Sequence, residues 1–298
     1  MPRSYRRLFL LALVASGMFS AGQTTVVRRV ASGRNGTDTP GCGNETHFCN
    51  TTQYAISLSS TGDEIHLMKG VHSCRSDHDV YTEDGDFFGI RFLKADKTTA
   101  NGGIVVRGAP HSTSDEVVYD CKLKSPAFHF GAVEEGNNTI LANFTIRNGQ
   151  AKGRAGGAIS VAFFGNRETS FKVHGKGLVI RNVVFRDNVA YGDGGGAVFV
   201  YKSKVAFDSC TFYNNRALIT DACGGAVYLL NSQKIDFSNC AFRNNSASGG
   251  GALCLDSSQG TGQNVMVRSC SFENNFTPDE QEGKAGGAVY ISGSAGAN

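Results

Sequence analysis

The stretch Phe212-Tyr-Asn-Asn215, followed by Gly224-Gly-Ala-Val227, is one copy of a repeat that decides the fold of this chain. The pattern Phe-x-x-Asn occurs four times, each copy is followed by Gly-Gly-Ala, and the phenylalanine recurs after 27, 30 and 30 residues. The residues that define the repeat are Phe185, Asn188, Gly195, Gly196, Phe212, Asn215, Gly224, Gly225, Phe242, Asn245, Gly250, Gly251, Phe272, Asn275, Gly286 and Gly287. A period of about 20 to 50 residues predicts a stacked repeat architecture.

Each copy reads as strand and turn. The apolar residues after Gly-Gly-Ala alternate, as Val198 and Val200 do, which places them on one face of a strand, and no copy has the apolar spacing of an amphipathic helix. Asparagine tolerates the left-handed backbone region, and its amide both donates and accepts, so stacked asparagines can hydrogen-bond along a column. The glycine pair permits positive φ and close backbone approach at a corner.

These features favour an all-β fold, a single-stranded right-handed parallel β-helix (a solenoid), in which each coil adds roughly 4.8 Å along the axis. A degenerate copy, Phe144-Thr-Ile-Arg-Asn148 followed by Gly156-Gly-Ala-Ile159, has Ile146 in place of the phenylalanine. With this copy included, we expect five rungs from Asn143 onward.

The paired motifs resemble those of the chlamydial polymorphic outer-membrane proteins and of related β-helical surface proteins, over about Val117 to Ile291. The segments Val117–Cys121 and Ala127–Phe130 are similar to the first rungs of pectate-lyase-like β-helices. Tyr54–Leu58 resembles the opening coil of that fold, which implies a short helix that plugs the first rung. The resemblance implies a surface protein used for adhesion, recognition or spacing.

The first residues have the layout of a secretory signal peptide. A basic stretch precedes a 12-residue apolar run, Leu8–Phe19, which is shorter than the roughly 18 residues of a spanning helix; an N-terminal anchor is the alternative. We expect a signal peptide over 1–22, an N-terminal cap and first coil over 23–75, and the β-helix over 76–298, truncated or uncapped at its C-terminal end. No transmembrane span is expected after cleavage.

A secreted or cell-surface chain can carry N-linked glycans in a glycosylating host. The candidate acceptors are Asn35, Asn44, Asn50, Asn137, Asn143, Asn244 and Asn275. Their number is partly a by-product of asparagine-rich turns. The first three lie outside the repeats and are therefore favoured.

The nine cysteines cannot all pair within one chain, so at least one is free or pairs with another molecule. Cys42 and Cys49, close together in a loop-rich segment, are the favoured disulfide. Cys74 and Cys121 are a second candidate pair.

Three further cysteines, Cys210, Cys240 and Cys270, lie two residues before a repeat phenylalanine, where the preceding units have Val183 and Phe144. A position that accepts Cys, Val or Phe predicts an apolar core column. Zinc ligands come at short spacings and converge, whereas these cysteines recur at the rung period. We interpret them as buried thiols, and we expect neither a metal nor a cofactor.

The charge balance gives no sign of a nucleic-acid partner. The formal charge of +3 disappears when the three leader arginines are removed, since 26 basic and 26 acidic residues remain. No basic stripe of the kind that binds phosphates is visible. A polysaccharide or a cell-surface protein is the expected partner.

No catalytic residue is assigned from the sequence. Glycoside hydrolysis needs two carboxylates about 5 to 9.5 Å apart. Asp208 and Asp236 are on neighbouring rungs, but they precede the phenylalanine by four and six residues, so we do not expect them to stack. The outward positions of the repeat strands carry no carboxylate and are predicted to be Phe199, Tyr228, Cys254 and Tyr290.

The richest polar cluster is predicted to be a solvated loop. It contains His72, Asp77, His78, Asp79, Asp84 and Asp86. Its paired acids could bind calcium, but no full calcium-loop spacing follows them. Arg147, Arg181 and Arg186 could contact an acidic sugar, although surface arginines are common.

Two functional hypotheses remain, because one scaffold can host either. The first is an adhesion, recognition or structural module without catalysis, with Tyr201, Tyr213, Tyr228 and Tyr290 as candidate ligand contacts. The alternative is a carbohydrate-active enzyme on the pectate-lyase-like fold, a polysaccharide lyase, hydrolase or epimerase. An outward face without converging acids favours the first.

Overall fold

A computed structural model describes residues 24–33, 35–74, 89–92, 101–131, 138–153, 155–162, 177–232, 234–257, 264–278 and 286–293. The predicted signal peptide and the cluster residues Asp77 to Asp86 lie outside these ranges. The helix is α1 (Thr52–Ser57). The strands before the clean repeats are β1 (Val27–Val30), β2 (Glu64–Leu67), β3 (Gly70–Ser73), β4 (Ile90–Arg91), β5 (Val105–Gly108), β6 (Val117–Asp120), β7 (Phe128–Phe130), β8 (Ile140–Arg147), β9 (Gln150–Lys152) and β10 (Ile159–Ala162).

The strands of the four Phe-x-x-Asn repeats come next along the chain. They are β11 (Leu178–Arg186), β12 (Val189–Tyr191), β13 (Val198–Tyr201), β14 (Val205–Asp208), β15 (Thr211–Tyr213), β16 (Arg216–Ala217), β17 (Val227–Leu230), β18 (Ile235–Ser238), β19 (Ala241–Arg243), β20 (Leu253–Ser257), β21 (Val265–Arg268), β22 (Ser271–Glu273) and β23 (Val289–Gly293). No helix in the described ranges is long and apolar enough to cross a membrane.

The strands form three parallel sheets that wind around one core. The long sheet runs β1-β2-β5-β8-β11-β14-β18-β21, and β3, β6, β15, β19 and β22 extend it around a bend. The second sheet runs β4-β7-β10-β13-β17-β20-β23, and the third contains β9, β12 and β16. The chain visits the sheets in turn and returns one strand further along, which is the winding of a parallel β-helix.

Five successive coils begin at β8, β11, β14, β18 and β21 and reach the second sheet at β10, β13, β17, β20 and β23. They match the five rungs expected from Asn143 onward. Two earlier coils begin at β2 and β5 and reach the second sheet at β4 and β7. The repeat therefore sets the register of the whole stack.

The repeat phenylalanines form a stacked column inside the core. Phe185, Phe212, Phe242 and Phe272 follow one another with ring centroids 4.8, 4.7 and 4.8 Å apart. The first three are fully buried. Burying an aromatic side chain of this size contributes about 1.5 to 3 kcal/mol, so this column is a principal source of stability.

The fourth residue of each Phe-x-x-Asn motif forms a buried ladder. Asn188 Nδ2 donates to Asn215 Oδ1 at 2.9 Å, Asn215 Nδ2 to Asn245 Oδ1 at 3.0 Å, and Asn245 Nδ2 to Asn275 Oδ1 at 2.8 Å. The same amides also donate to backbone carbonyls of the preceding coil. The predicted column of asparagines is therefore present.

The left-handed backbone is found one residue earlier than the ladder. Asp187, Asn214, Asn244 and Asn274 have φ between 52° and 58°. The motif thus divides two properties of asparagine, because the third position makes the turn and the fourth supplies the hydrogen bonds. At the glycine corners, Gly224 has a φ of 71°, whereas Gly225 faces the backbone of the next coil.

The N-terminal segment covers the first coil. Helix α1 buries Ala55 and Ile56 completely, and Thr51 caps it by accepting a hydrogen bond from the Tyr54 amide at 3.1 Å. The helix implied by the resemblance to pectate-lyase-like folds is therefore present, and its apolar side closes the end of the core.

Candidate functional site

The outward side of the long sheet carries a cluster of charged residues, which we call the charged face. It consists of Arg181, Lys204, Asp208, Lys234, Asp236 and Arg268. Most of these side chains line a groove of about 520 Å³. Their strands alternate buried and partly exposed residues, so the core residues of β11, β14 and β18 position the charged ones on the outside.

Strand register arranges the charges along the axis of the β-helix. Arg181 pairs with Asp208, Asp208 with Ser238, and Ser238 with Arg268. Lys204 and Lys234 lie two residues before Ala206 and Asp236, which pair in adjacent coils. The face thus offers four cations and two carboxylates over consecutive coils, which favours a ligand with repeated negative charges.

Each carboxylate of the charged face is held by an arginine from another coil. Arg181 Nε lies 3.3 Å from Asp208 Oδ2, and Arg268 pairs with Asp236. Ser238 Oγ also donates to Asp236 Oδ1 at 3.1 Å. These carboxylates fix the orientation of the arginines that flank the groove.

The two acids do not stack, as the sequence indicated. Asp236 lies opposite Ala206, while Asp208 lies opposite Ser238. Both carboxylates accept hydrogen bonds from protein donors. Such an arrangement can hold an anion through the flanking cations.

Tyr228 and Cys254 lie on the outer side of the second sheet, but they are covered and not exposed to solvent. Tyr228 is only 7% exposed, and Cys254 is fully buried in a disulfide with Cys223. Phe199 lies beside Tyr228, with ring centroids 5.5 Å apart. The chain before Gly224 covers this surface, so the sheet here has a small apolar cluster on its outer side.

Three of the four candidate tyrosines lie on the second sheet, where Tyr290 packs against the apolar cluster that contains Tyr228, and Tyr213 lies apart from them. Tyr201 and Tyr290 are partly exposed on the second sheet, and Tyr213 is 43% exposed on β15 of the long sheet. Tyr228 donates to Asp256 Oδ2 at 3.4 Å, and burial raises the pKa of its hydroxyl. Its proposed role as a ligand contact is therefore wrong.

Only one of the three candidate arginines belongs to the charged face. Arg181 does, but Arg147 is around the bend and pairs with Asp120 at 2.9 Å. Arg186 is also beyond the bend and lies 3.5 Å from Asp187. Sequence reasoning missed Lys204 and Lys234, although each precedes its repeat phenylalanine by eight residues and the repeat therefore aligns them.

His72 is a core residue, which corrects its assignment to a solvated loop. It is 3% exposed, and its ring lies 5.5 Å from that of Tyr119. Its Nε2 lies 2.7 Å from the Met68 carbonyl oxygen, so this nitrogen carries the proton. Burial lowers the pKa of His72, and the bond to Met68 opposes that shift. The side chain is neutral in the folded protein.

We expect stability to fall as the pH is lowered from 7.5 to 5. Since the folded-state pKa of His72 is below the ordinary histidine value of 6.5, the unfolded chain binds a proton more readily in this interval. The Tm of His72→Phe should depend less on pH, whereas exposed His111→Asn should behave as the parent does. Equal pH slopes for all three proteins would contradict the assignment.

The described side chains hold one group of potential metal ligands with converging atoms, Asp38, Cys42 and Cys49. The two cysteines form a disulfide, and Cys74 with Cys121 forms another. Asp38 accepts hydrogen bonds from the Asn50 and Thr51 amides at 2.8 and 3.0 Å. This group is therefore a structural cross-link.

The candidate glycosylation sites differ in exposure. Asn35 and Asn44 are exposed, Asn50, Asn143 and Asn244 are partly buried, and Asn137 lies outside the described residues. Asn275 Nδ2 donates to the Phe242 carbonyl at 2.9 Å. A glycan on that nitrogen would displace the end of the asparagine ladder, so Asn275 is a poor acceptor in the folded protein.

A known protein family shares this architecture. Residues 133–298 match the family model described as "Right handed beta helix region". The chain belongs to this right-handed β-helix family. A solved structure named rhamnogalacturonan lyase is similar, with 13% identity and a TM-score of 0.45 over 91% of this chain and 63% of the lyase chain. The chain thus spans less than two thirds of that lyase, and no curated protein matches.

Proposed function

We propose that this β-helical protein is a secreted or cell-surface module that binds a carboxylated polysaccharide along the charged face without cleaving it. The observation that carries the proposal is the excess of cations in the groove, where both carboxylates are already paired with arginines. The signal-peptide layout and the resemblance of the repeats to chlamydial surface proteins support the extracellular setting.

The shape of the charged face suits an extended polymer. Arg181 and Arg268 are separated by three rung steps in one column, which is about 14 Å at the ordinary strand spacing. Lys204 and Lys234 lie beside this column, one rung apart. A chain with a carboxylate on successive sugars could contact several of these cations at once.

Binding should depend on the two lysines of the groove. We expect the double variant Lys204→Gln/Lys234→Gln to bind polygalacturonate about tenfold more weakly, which corresponds to about 1.4 kcal/mol. The salt dependence of the affinity should also become shallower, since fewer counterions are released. Isothermal titration at two or three salt concentrations measures both quantities.

Lys152→Gln is the matched control, because it removes one exposed lysine from the third sheet. This variant should bind as tightly as the parent. Equal weakening by the control and the double variant would show nonspecific charge attraction and contradict the proposed site. Failure of the parent protein to bind any carboxylated polymer would overturn the function itself.

A further inference from the structure

We infer that Cys210, Cys240 and Cys270 form a linear binding site for soft, two-coordinate metal cations, for which Cu(I) is the appropriate probe. The site is independent of the charged face. It lies at the bend of the long sheet, where the three thiols occupy one position in successive coils.

The register on both sides of the bend fixes the column. Before the cysteines, Asp208, Ser238 and Arg268 are aligned, and after them Thr211, Ala241 and Ser271 are aligned. The cysteines between them are therefore stacked one rung apart, about 4.8 Å at the ordinary strand spacing. The structure leaves all three as free thiols, although three other pairs are disulfides.

Each thiol of the column donates to a carbonyl oxygen of the preceding coil: Cys210 to Ile180, Cys240 to Phe207 and Cys270 to Phe237. The three sulfur atoms therefore lie on the same side of their strands. The Cys240 amide also donates to Cys270 Sγ at 3.3 Å. Since Cys240 has a cysteine in the coil on either side of it, it is the shared member of two adjacent thiol pairs.

This spacing fits linear coordination and excludes a tetrahedral zinc site made from the column alone. Two metal–thiolate bonds of about 2.3 Å span about 4.6 Å when they are collinear, which is close to one rung. A tetrahedral ion needs four converging ligands, whereas each gap in the column offers two. Soft thiolates select Cu(I), so a two-coordinate Cu(I) site would replace the sequence-based expectation that these cysteines bind no metal.

Access to the column differs among the three cysteines. Cys210 and Cys240 are buried, with 1% and 2% of their surface exposed. Cys270 is only partly buried, so a cation can enter the column beside it. The first pair to be occupied is then Cys240 with Cys270.

The charge and proton balance is simple. One Cu(I) between two cysteines replaces two thiol protons and leaves a complex with a single negative charge. A second Cu(I) in the other gap replaces the third proton, and the Cys240 sulfur then bridges both ions. No electron is transferred, and the protons pass to solvent.

The test is Cu(I) titration of the secreted chain with its disulfides intact, under argon, with a Cu(I)-selective chromogenic chelator as competitor. We expect two bound ions by native mass spectrometry and two-sulfur coordination by X-ray absorption. Cys210→Val and Cys270→Val should each retain one ion. Cys240→Val should retain none that competes with the chelator, a loss of about 100-fold in affinity.

Valine is the matched replacement because Val183 occupies the same column in the preceding coil. Circular dichroism should show that all three variants fold. An equal loss of copper from every single variant would contradict a shared central ligand. A disulfide between any two of the three cysteines in the secreted protein, or copper coordination by nitrogen or oxygen, would overturn the inference.

Discussion

Gly225→Ala is expected to prevent accumulation of the folded protein, with a loss of more than about 4 kcal/mol in the free energy of unfolding. A Cβ atom at this position would overlap the Gly251 carbonyl oxygen and the backbone of Ser246. Those atoms belong to the next coil and cannot move away by a change of rotamer. The measurement is the secreted yield, followed by urea unfolding of whatever protein is recovered.

Gly153→Ala separates this steric effect from the conformational freedom of glycine. Gly153 has a φ of 62°, but no atom lies within 4 Å of its ideal Cβ. This variant should lose only about 1 to 2 kcal/mol, the cost of the left-handed backbone for alanine. If it were as damaging as Gly225→Ala, close packing of the coils would not be the reason for the glycine pair.

The second large effect is expected for Asn215→Leu, in the middle of the buried ladder. Asn215 Nδ2 donates to the Phe185 carbonyl at 3.0 Å, and its Oδ1 accepts from the Asn188 backbone amide at 3.2 Å. Leucine has a similar volume but leaves these buried groups and the neighbouring ladder amides without partners. We expect a loss of about 3 to 5 kcal/mol, measured by urea unfolding.

Asn275→Leu is the matched control at the end of the described ladder. Asn275 is partly exposed, so water can replace the hydrogen bonds that it loses. Its variant should lose less than half as much stability as Asn215→Leu. Equal losses would mean that the asparagines act individually and not as a buried, connected column.

The sequence predicted the fold well because residues that are one repeat period apart stack on one another in successive coils. The phenylalanines and asparagines recur at one position in every coil, so their spacing reveals the columns that Phe212 and Asn215 occupy. The position of the left-handed residue was less clear, because asparagine suits both roles. Asn214 makes the turn, and Asn215 joins the ladder.

The surfaces were harder to predict than the core. The Cys223–Cys254 disulfide joins segments whose proximity depends on how the chain crosses the second sheet. That crossing also buries Tyr228. The sequence offered one signal of this disulfide: Cys223 and Cys254 were the two cysteines that belonged neither to the candidate disulfides nor to the core column. Likewise, His72 reads as a polar loop residue until β3 pairs with β6 and places it beside Tyr119.

The charged face was only partly visible in the sequence. Arg181 could be named as a contact for an acidic sugar, and the two aspartates could be shown not to stack. Lys204 and Lys234 are 30 residues apart, as Phe212 and Phe242 are, so the repeat period aligned them. The groove that they share with Arg181 became visible only in the structure. A ligand surface built across coils is therefore less evident than a core built by the repeat itself.

The most direct test of binding without cleavage is to incubate the purified chain from Gln23 onward with polygalacturonate, alginate and neutral dextran, and then to measure protein retention and polymer length together. We expect retention on the two carboxylated polymers, little on dextran, and no change in chain length. Shortened polymer whose formation is lost in Asp208→Asn or Asp236→Asn would contradict this account and identify an enzyme instead.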